Sequence, residues 1–286
     1  MVHSVLESIT RADIRYYPFP HIVVENCLPA DYYRKLSQEY PSDETILDLS
    51  GARSGQVRQN SRNDLSAHQA LKHASSLSPA WQEFVRHHVS SDLFRQLVSL
   101  LGPEIKATHP AIESQLGHPL EECTTGVRFD PDLDTGEISL DCQIGINTPT
   151  TQKSSVRRVH TDATEELFAM LLYFRREDDF SKGGELEIFR WKRGTQRLFV
   201  GEAVDEADAV LVSKVPYAAN TLVIFINSDT SLHAVSEREP TPISRRLVNI
   251  IGRTYRSIPE GLFDKHQKSA IGKLRYKFPQ LLNGRL

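Results

Sequence analysis

Cysteine is scarce in this chain, and its few copies lie far apart: Cys27, Cys123 and Cys142 are the three in 286 residues. No two form a Cys-x-x-Cys pair. An odd, scattered set argues against a disulfide framework or a thiolate zinc knot and for reduced thiols. Long apolar runs are missing as well, since no stretch reaches the ~18 residues that a membrane-crossing helix needs. The opening Met1-Val2-His3-Ser4 lacks the basic segment and apolar run of a secretory leader. A cytoplasmic protein that engages no membrane is the expectation. Charge of one sign is not in excess either: a net charge of −3 gives no basic face for nucleic acid. Arg157-Arg158 and the tail residues Lys265, Lys268, Lys273, Arg275 and Lys277 are local exceptions, read as solvated surface charge. Internal repeats and low-complexity tracts are absent.

What remains is an ordinary globular composition, 39% hydrophobic and 25% charged, on a chain long enough to bury a sizeable core. Residues 17–26 read as a short strand behind two prolines, and 28–36 as a helix with Pro29 near its first turn. Residues 43–75 are polar and aperiodic, which predicts a long loop. From Ser78-Pro79 to Leu101, apolar Trp81, Phe84, Val85, Val89, Leu93, Phe94, Leu97 and Leu100 recur at helical spacing, with a stop at Gly102-Pro103. Beyond about Gly126 the period changes to that of strands. Ile138–Asn147 alternates as a half-buried strand would, and Leu167–Phe174 is a continuous apolar run of core-strand length. Segments 184–189, 221–225 and 246–251 continue the series. Strands separated by turn signals predict a mainly β chain with flanking helices (α+β), a sandwich or barrel rather than βαβ units. The final stretch, 262–282, is expected to be helical. One structural domain results, with an N-terminal strand and supporting helices over 1–120, a β core over 121–256 and a helical segment over 257–286.

The chemistry is concentrated in Val159-His160-Thr161-Asp162. Side chains on extended chain alternate, so His-x-Asp puts an imidazole and a carboxylate on one face. A second imidazole arriving from a distant strand, at His233, would complete two nitrogens and one oxygen on one side of a metal. That is the facial arrangement of non-haem Fe(II), with the opposite positions open.

The order of motifs after His160 is more specific. His160-Thr161-Asp162, Tyr173, Gly183-Gly184-Glu185-Leu186, Asn220–Phe225, Ser231-Leu232-His233-Ala234-Val235 and Arg245 together resemble the 2-oxoglutarate and Fe(II)-dependent dioxygenases, in their prolyl-4-hydroxylase-like branch. The N-terminal Phe19-Pro20-His21-Ile22-Val23, followed by a helix behind Pro29, is also similar. The resemblance implies a double-stranded β-helix, or jelly roll, with His160, Asp162 and His233 as metal ligands between two sheets. It implies Fe(II), 2-oxoglutarate as cosubstrate and O2, with ascorbate supporting activity, and formation of succinate and CO2 as an unactivated C–H bond is hydroxylated. It also implies a cation for the distal carboxylate of 2-oxoglutarate. Arginine suits that role because its planar fork grips a carboxylate at two points and keeps its charge when desolvated. Arg245 and Arg246 are the candidates, and strand alternation lets only one point inward. Arg245 is favoured because Asn249 would share its face, whereas Arg246 shares with Val248 and Ile250. Tyr173 is placed where a hydroxyl would meet the cosubstrate. Asp162 keeps a carboxylate where related halogenases have none, which favours hydroxylation, desaturation or cyclisation over halogenation.

Arg157, Arg158, Thr161 and Gln143 are candidates for the substrate mouth. The substrate itself is not encoded in a recognisable motif; a small molecule or amino-acid-type compound is expected, and the oligomeric state is open. Two other classes remain: a cupin-type metalloenzyme, and a jelly-roll binding or sensor protein that retains the metal site without catalysis.

Overall fold

The computed structural model describes residues 2–52 and 58–268. Its strands are β1 (Ile14–Arg15), β2 (His21–Val24), β3 (Arg62–Leu65), β4 (Thr125–Val127), β5 (Ile138–Asn147), β6 (Glu166–Tyr173), β7 (Leu186–Trp191), β8 (Phe199–Val200), β9 (Ala203–Val204), β10 (Ala209–Val215), β11 (Leu222–Ile226), β12 (His233–Val235) and β13 (Arg245–Arg253). The helices are α1 (Ala30–Gln38), α2 (Asp43–Leu49), α3 (Ala67–Lys72), α4 (Pro79–His88), α5 (Ser91–Thr108) and α6 (Ile112–Leu116). The main sheet runs β1-β2-β11-β6-β13-β5-β3, with β4 also on β5; a smaller sheet runs β10-β7-β12, and β8 pairs with β9. Successive strands β11, β12 and β13 step from the main sheet to the smaller one and back, and their pairings are antiparallel. This is the expected jelly roll. Among the described residues, no helix is long and apolar enough to cross a membrane.

Strand alternation explains why the central strands read as unbroken apolar runs. Phe168, Met170 and Leu172 of β6 pack with Trp81, Phe84 and Leu97 beneath the helices. Ala169, Leu171 and Tyr173 face Leu186 and Ile188 of the smaller sheet. Both faces are covered, so both must be apolar. The same covering corrects the reading of β5 as half-buried: nine of its ten residues are buried and Gln143 is intermediate. Its alternation separates helix-facing Leu140, Cys142 and Ile144 from the polar set Asp141, Gln143 and Asn147 on the other face.

Three further expectations are corrected. Residues 43–75 are not a long loop but contain α2, β3 and α3. Their signals are caps rather than apolar periodicity: Ser42 accepts from Thr45 N, and Ser66 forms a capping box with Gln69. The helix predicted over 78–101 is two helices, because Ser90 accepts from Leu93 N and starts α5 anew. That helix then runs through Gly102-Pro103. A proline inside a helix removes a backbone bond, but Leu101 and Ile105, one turn apart, are 2% and 0% exposed, and their burial outweighs the local stop signal. Finally, residues 262–268 are not helical. Gln267 bridges to Phe199, Phe199 N donates to His266 O at 2.8 Å, and Lys268 N donates to Phe199 O at 2.9 Å. The rest of the expected C-terminal helix, 269–286, lies outside the described residues.

Candidate metal centre

His160 bridges β12 of the smaller sheet, at His233, to β9, at Ala203. His160 and His233 exchange both backbone bonds, His160 N to His233 O and His233 N to His160 O, each at 3.0 Å. Directly opposed residues of an antiparallel pair put their side chains on the same side, and the two imidazole centroids lie 4.2 Å apart. Asp162 follows two residues on. Its Oδ1 lies 3.5 Å from His160 Nε2 and its Oδ2 lies 3.6 Å from His233 Nε2. One ligand atom of each residue falls within 4.8 Å of the others.

Proton placement makes this convergence informative. His160 Nδ1 sits 2.8 Å from Arg158 O, and His233 Nδ1 sits 2.9 Å from Ser231 O. A carbonyl only accepts, so each Nδ1 carries the proton and each Nε2 presents a lone pair when the ring is neutral. Burial keeps both rings neutral, pushing His233 down to about 4 and His160 down as well. Burial pushes the Asp162 carboxyl up, but the adjoining His233 and His160, together with Arg157, outweigh it and hold the carboxyl below its usual range. Two lone pairs and a carboxylate therefore face one point with no proton between them. A cation relieves that repulsion, and neutral imidazoles with a carboxylate suit Fe(II).

The three groups line a cavity of about 380 Å³, within the size range of small-molecule sites. Two surface hollows of about 830 and 840 Å³ lie elsewhere and do not contain the three groups. Ala169, Leu171, Leu186, Phe225 and Leu247 give the cavity apolar walls, and Arg245 lies at its inner side. Arg245 is 3% exposed and sits over the rings of Tyr173 and Tyr217, at 4.8 and 4.7 Å. Its Nε donates to Gly184 O at 3.0 Å and its Nη1 to Asn147 Oδ1 at 3.1 Å. Among the described residues, no carboxylate pairs with it. Gly184 has φ +82°, and a Cβ there would come within 3.2 Å of Arg245 Cδ, so the glycine permits the close approach. Arg246 takes the opposite face. Its guanidinium lies 4.9 Å over Tyr40 and its backbone N–H donates to Tyr217 Oη at 2.8 Å.

Three buried polar atoms near Arg245 or on the cavity wall have no hydrogen-bond partner among the described residues: Tyr173 Oη, Asn147 Nδ2 and Asn249 Oδ1. Orphaned buried groups are costly unless a ligand or water satisfies them. Burial also raises the pKa of Tyr173, keeping its hydroxyl protonated. Asn249 Nδ2 donates to Gln143 Oε1 at 3.2 Å.

The residues expected at the substrate mouth divide. Arg157 lines the cavity and is ion-paired to Glu202. Arg158 instead reaches Glu206 at 3.1 Å on the neighbouring hollow. Thr161 is fully buried and does not line the cavity, and Gln143 meets it only through Asn249 and Arg62. Sequence reasoning missed Arg62, Asn147, Arg238 and Lys265. Asn147 could have been found, since it continues the face of Gln143 at period two. Arg62 was hidden in the segment read as loop. Arg238 is 1% exposed and braces the mouth through Asn60 Oδ1 at 3.1 Å and Thr148 O at 3.0 Å. Lys265, read as solvated surface charge, donates to Thr161 O at 3.2 Å and Asp162 O at 2.5 Å.

No family profile matches the chain, and no curated protein matches it in sequence. Among solved structures it is similar to a prolyl-4-hydroxylase from Pseudomonas putida (16% identity, TM-score 0.41, covering 82% of this chain and 91% of that one). It is also similar to a prolyl 4-hydroxylase from Phytophthora capsici (17%, TM-score 0.44, 91% and 67%). A third is SnoK, a non-haem alpha-ketoglutarate-dependent carbocyclase from nogalamycin biosynthesis (14%, TM-score 0.42, 88% and 87%).

Proposed function

We propose that this protein is an Fe(II)- and 2-oxoglutarate-dependent oxygenase that hydroxylates an unactivated C–H bond of a small-molecule or amino-acid-type substrate. One observation carries the reading: two imidazole lone pairs and a carboxylate share one cavity with a buried guanidinium that has no acid partner among the described residues. His160, Asp162 and His233 would hold the iron on one side. Arg245 would receive the distal carboxylate of 2-oxoglutarate in a bidentate pair. Tyr173 Oη and Asn147 Nδ2 would donate to the same anion, which satisfies atoms otherwise orphaned. The apolar walls Leu171, Leu186, Phe225 and Leu247 exclude water and strengthen these contacts. Iron and 2-oxoglutarate, when bound, supply the oxidising chemistry, with succinate and CO2 as coproducts. Arg62 and Arg157 at the open side fit a polar or anionic part of the substrate.

The test is succinate formation from 2-oxoglutarate in air with Fe(II) and ascorbate. The wild type should form succinate even without a prime substrate, by slow uncoupled turnover. Partners outside the ligand set are themselves worth roughly 10–100-fold in metal affinity or activity, so His160→Ala should abolish the signal. Equal succinate from both proteins would end the proposal.

A further inference from the structure

Upstream of the first centre, His118, Cys123 and Glu137 bring one nitrogen, one sulfur and one oxygen within 4.8 Å of each other. We propose that these three side chains form a second cation site, matched to Zn(II), that clasps the segment after α6 to the start of β5. The backbone delivers them on fixed supports. Gly117, with φ +86°, ends α6 and turns the chain at His118. A short 3-10 turn, Leu120–Glu122, then leads to Cys123. Glu137 precedes β5, which pairs in parallel with β4 in the register Thr125↔Ile138, and Ile138 N donates to Thr124 O at 3.0 Å.

Two of the three donors are held from their far side, so that the near atom of each faces the other ligands. His118 Nδ1 lies 2.9 Å from Pro119 O, so it carries the proton and Nε2 turns to the centre. Glu137 Oε2 accepts from Thr124 N at 2.9 Å and Thr124 Oγ1 at 3.0 Å, and its Oε1 pairs with His118 Nε2 at 2.6 Å, the contact that a shared ion would replace. A ring nitrogen fixed by a backbone carbonyl and a carboxylate fixed by its far oxygen is the support that metal ligands characteristically receive. The Cys123 sulfur, by contrast, has no hydrogen-bond partner among the described residues. A histidine–glutamate pair alone would leave that thiol unexplained.

The surroundings favour a cation. Glu113 and Glu121 flank the site and share one lysine, Lys106, at 3.3 and 3.5 Å. Cysteine, histidine and carboxylate ligands with bonds of about 2.0–2.3 Å are those of tetrahedral Zn(II), and a fourth position remains for water. Cys123 would bind as thiolate, its proton passing to solvent. The donor set differs from that of the first centre, which contains no sulfur. The sequence concealed it because the ligands are of three types and the spacing 118, 123, 137 matches no thiolate knot.

The missing sulfur at the first centre makes the test direct. Co(II) titrated into the full-length protein should produce a near-ultraviolet thiolate-to-cobalt charge-transfer band that saturates by two equivalents per chain, one for each centre, and is bleached by Zn(II). Cys123→Ser should lose the band while still taking up Co(II) at the first centre, which also reports that the variant is folded. Glu137→Gln should weaken the Co(II) affinity read from the band by roughly 10–100-fold. A wild type without the band at saturating Co(II), a band that Cys123→Ser retains, or one that Zn(II) leaves unchanged overturns the proposal.

Discussion

A guanidinium buried without a carboxylate beside it has given up hydration that only an incoming anion restores. Among the described residues Arg245 has no carboxylate beside it, and Arg246, one residue later, is not part of the cavity. Arg245→Met should therefore weaken 2-oxoglutarate binding by roughly 100-fold or more, the scale expected when one partner of a buried charge pair is removed. Arg246→Met should leave it within about threefold. Calorimetric titration of 2-oxoglutarate into metal-loaded protein reads both, and equal losses would contradict the assignment. A second residue sets the response to acid. His88 is fully buried, with Nδ1 2.7 Å from Phe84 O and Nε2 accepting from Val5 N at 3.1 Å, and burial pushes its pKa down to about 3. The unfolded chain takes up a proton below about pH 6.5 and the folded chain does not. Stability from this group is thus complete above pH 6.5 and is lost as pH falls toward 3, amounting to ~2 kcal/mol by pH 5. Urea unfolding at pH 7.5 and 5.0 should show that loss, and His88→Gln should flatten it while lowering stability at neutral pH. At this scale legibility follows sequence distance. His-x-Asp is a local pattern, and strand parity separated Arg245 from Arg246. Arg62 could not be read because its strand sits at a polar sheet edge with pattern and burial too mixed to signal one.

Elements bring in contacts that no local pattern records. The stretch before residue 269 pairs along Phe199 and sends Lys265 under the ligand loop, where it donates to the carbonyls of Thr161 and Asp162. It fixes the backbone that aims the Asp162 carboxylate without touching the metal position. Lys265→Met should lower Fe(II) affinity by roughly 10–100-fold, as lost outer-shell support does, in a chelator competition assay. An unchanged affinity would show that the strap is only a cover. Helix boundaries were less legible than helix presence. Serines at 42, 66 and 90 mark starts by accepting backbone N–H groups, a signal carried by one side chain each. The Gly102-Pro103 stop was overridden by the burial of Leu101 and Ile105. The strands were easier to read, since β6 and β11 are covered on both faces and spell continuous apolar runs.

Across the whole molecule, one packed layer lies between the main sheet and the helices and a second lies between the two sheets. The first is a large hydrophobic base on which the main sheet rests. The second holds the cavity, where Phe225 and Leu171 stand beside His233, Asp162 and Arg245. Rigid strands thus carry His233 and Arg245, while His160 is pinned to His233 by two backbone bonds. This division of labour places binding groups on supported elements and leaves the mouth to loops. The account's central claim is that the cavity takes a ferrous ion and a 2-oxo acid together. An anaerobic visible spectrum tests it most directly, because chelation of Fe(II) by the keto acid adds a metal-to-ligand charge-transfer absorption. The account predicts that this absorption appears only when Fe(II) and 2-oxoglutarate are both present, and that His160→Ala and Asp162→Ala abolish it. A wild type that stays colourless with both present would contradict it.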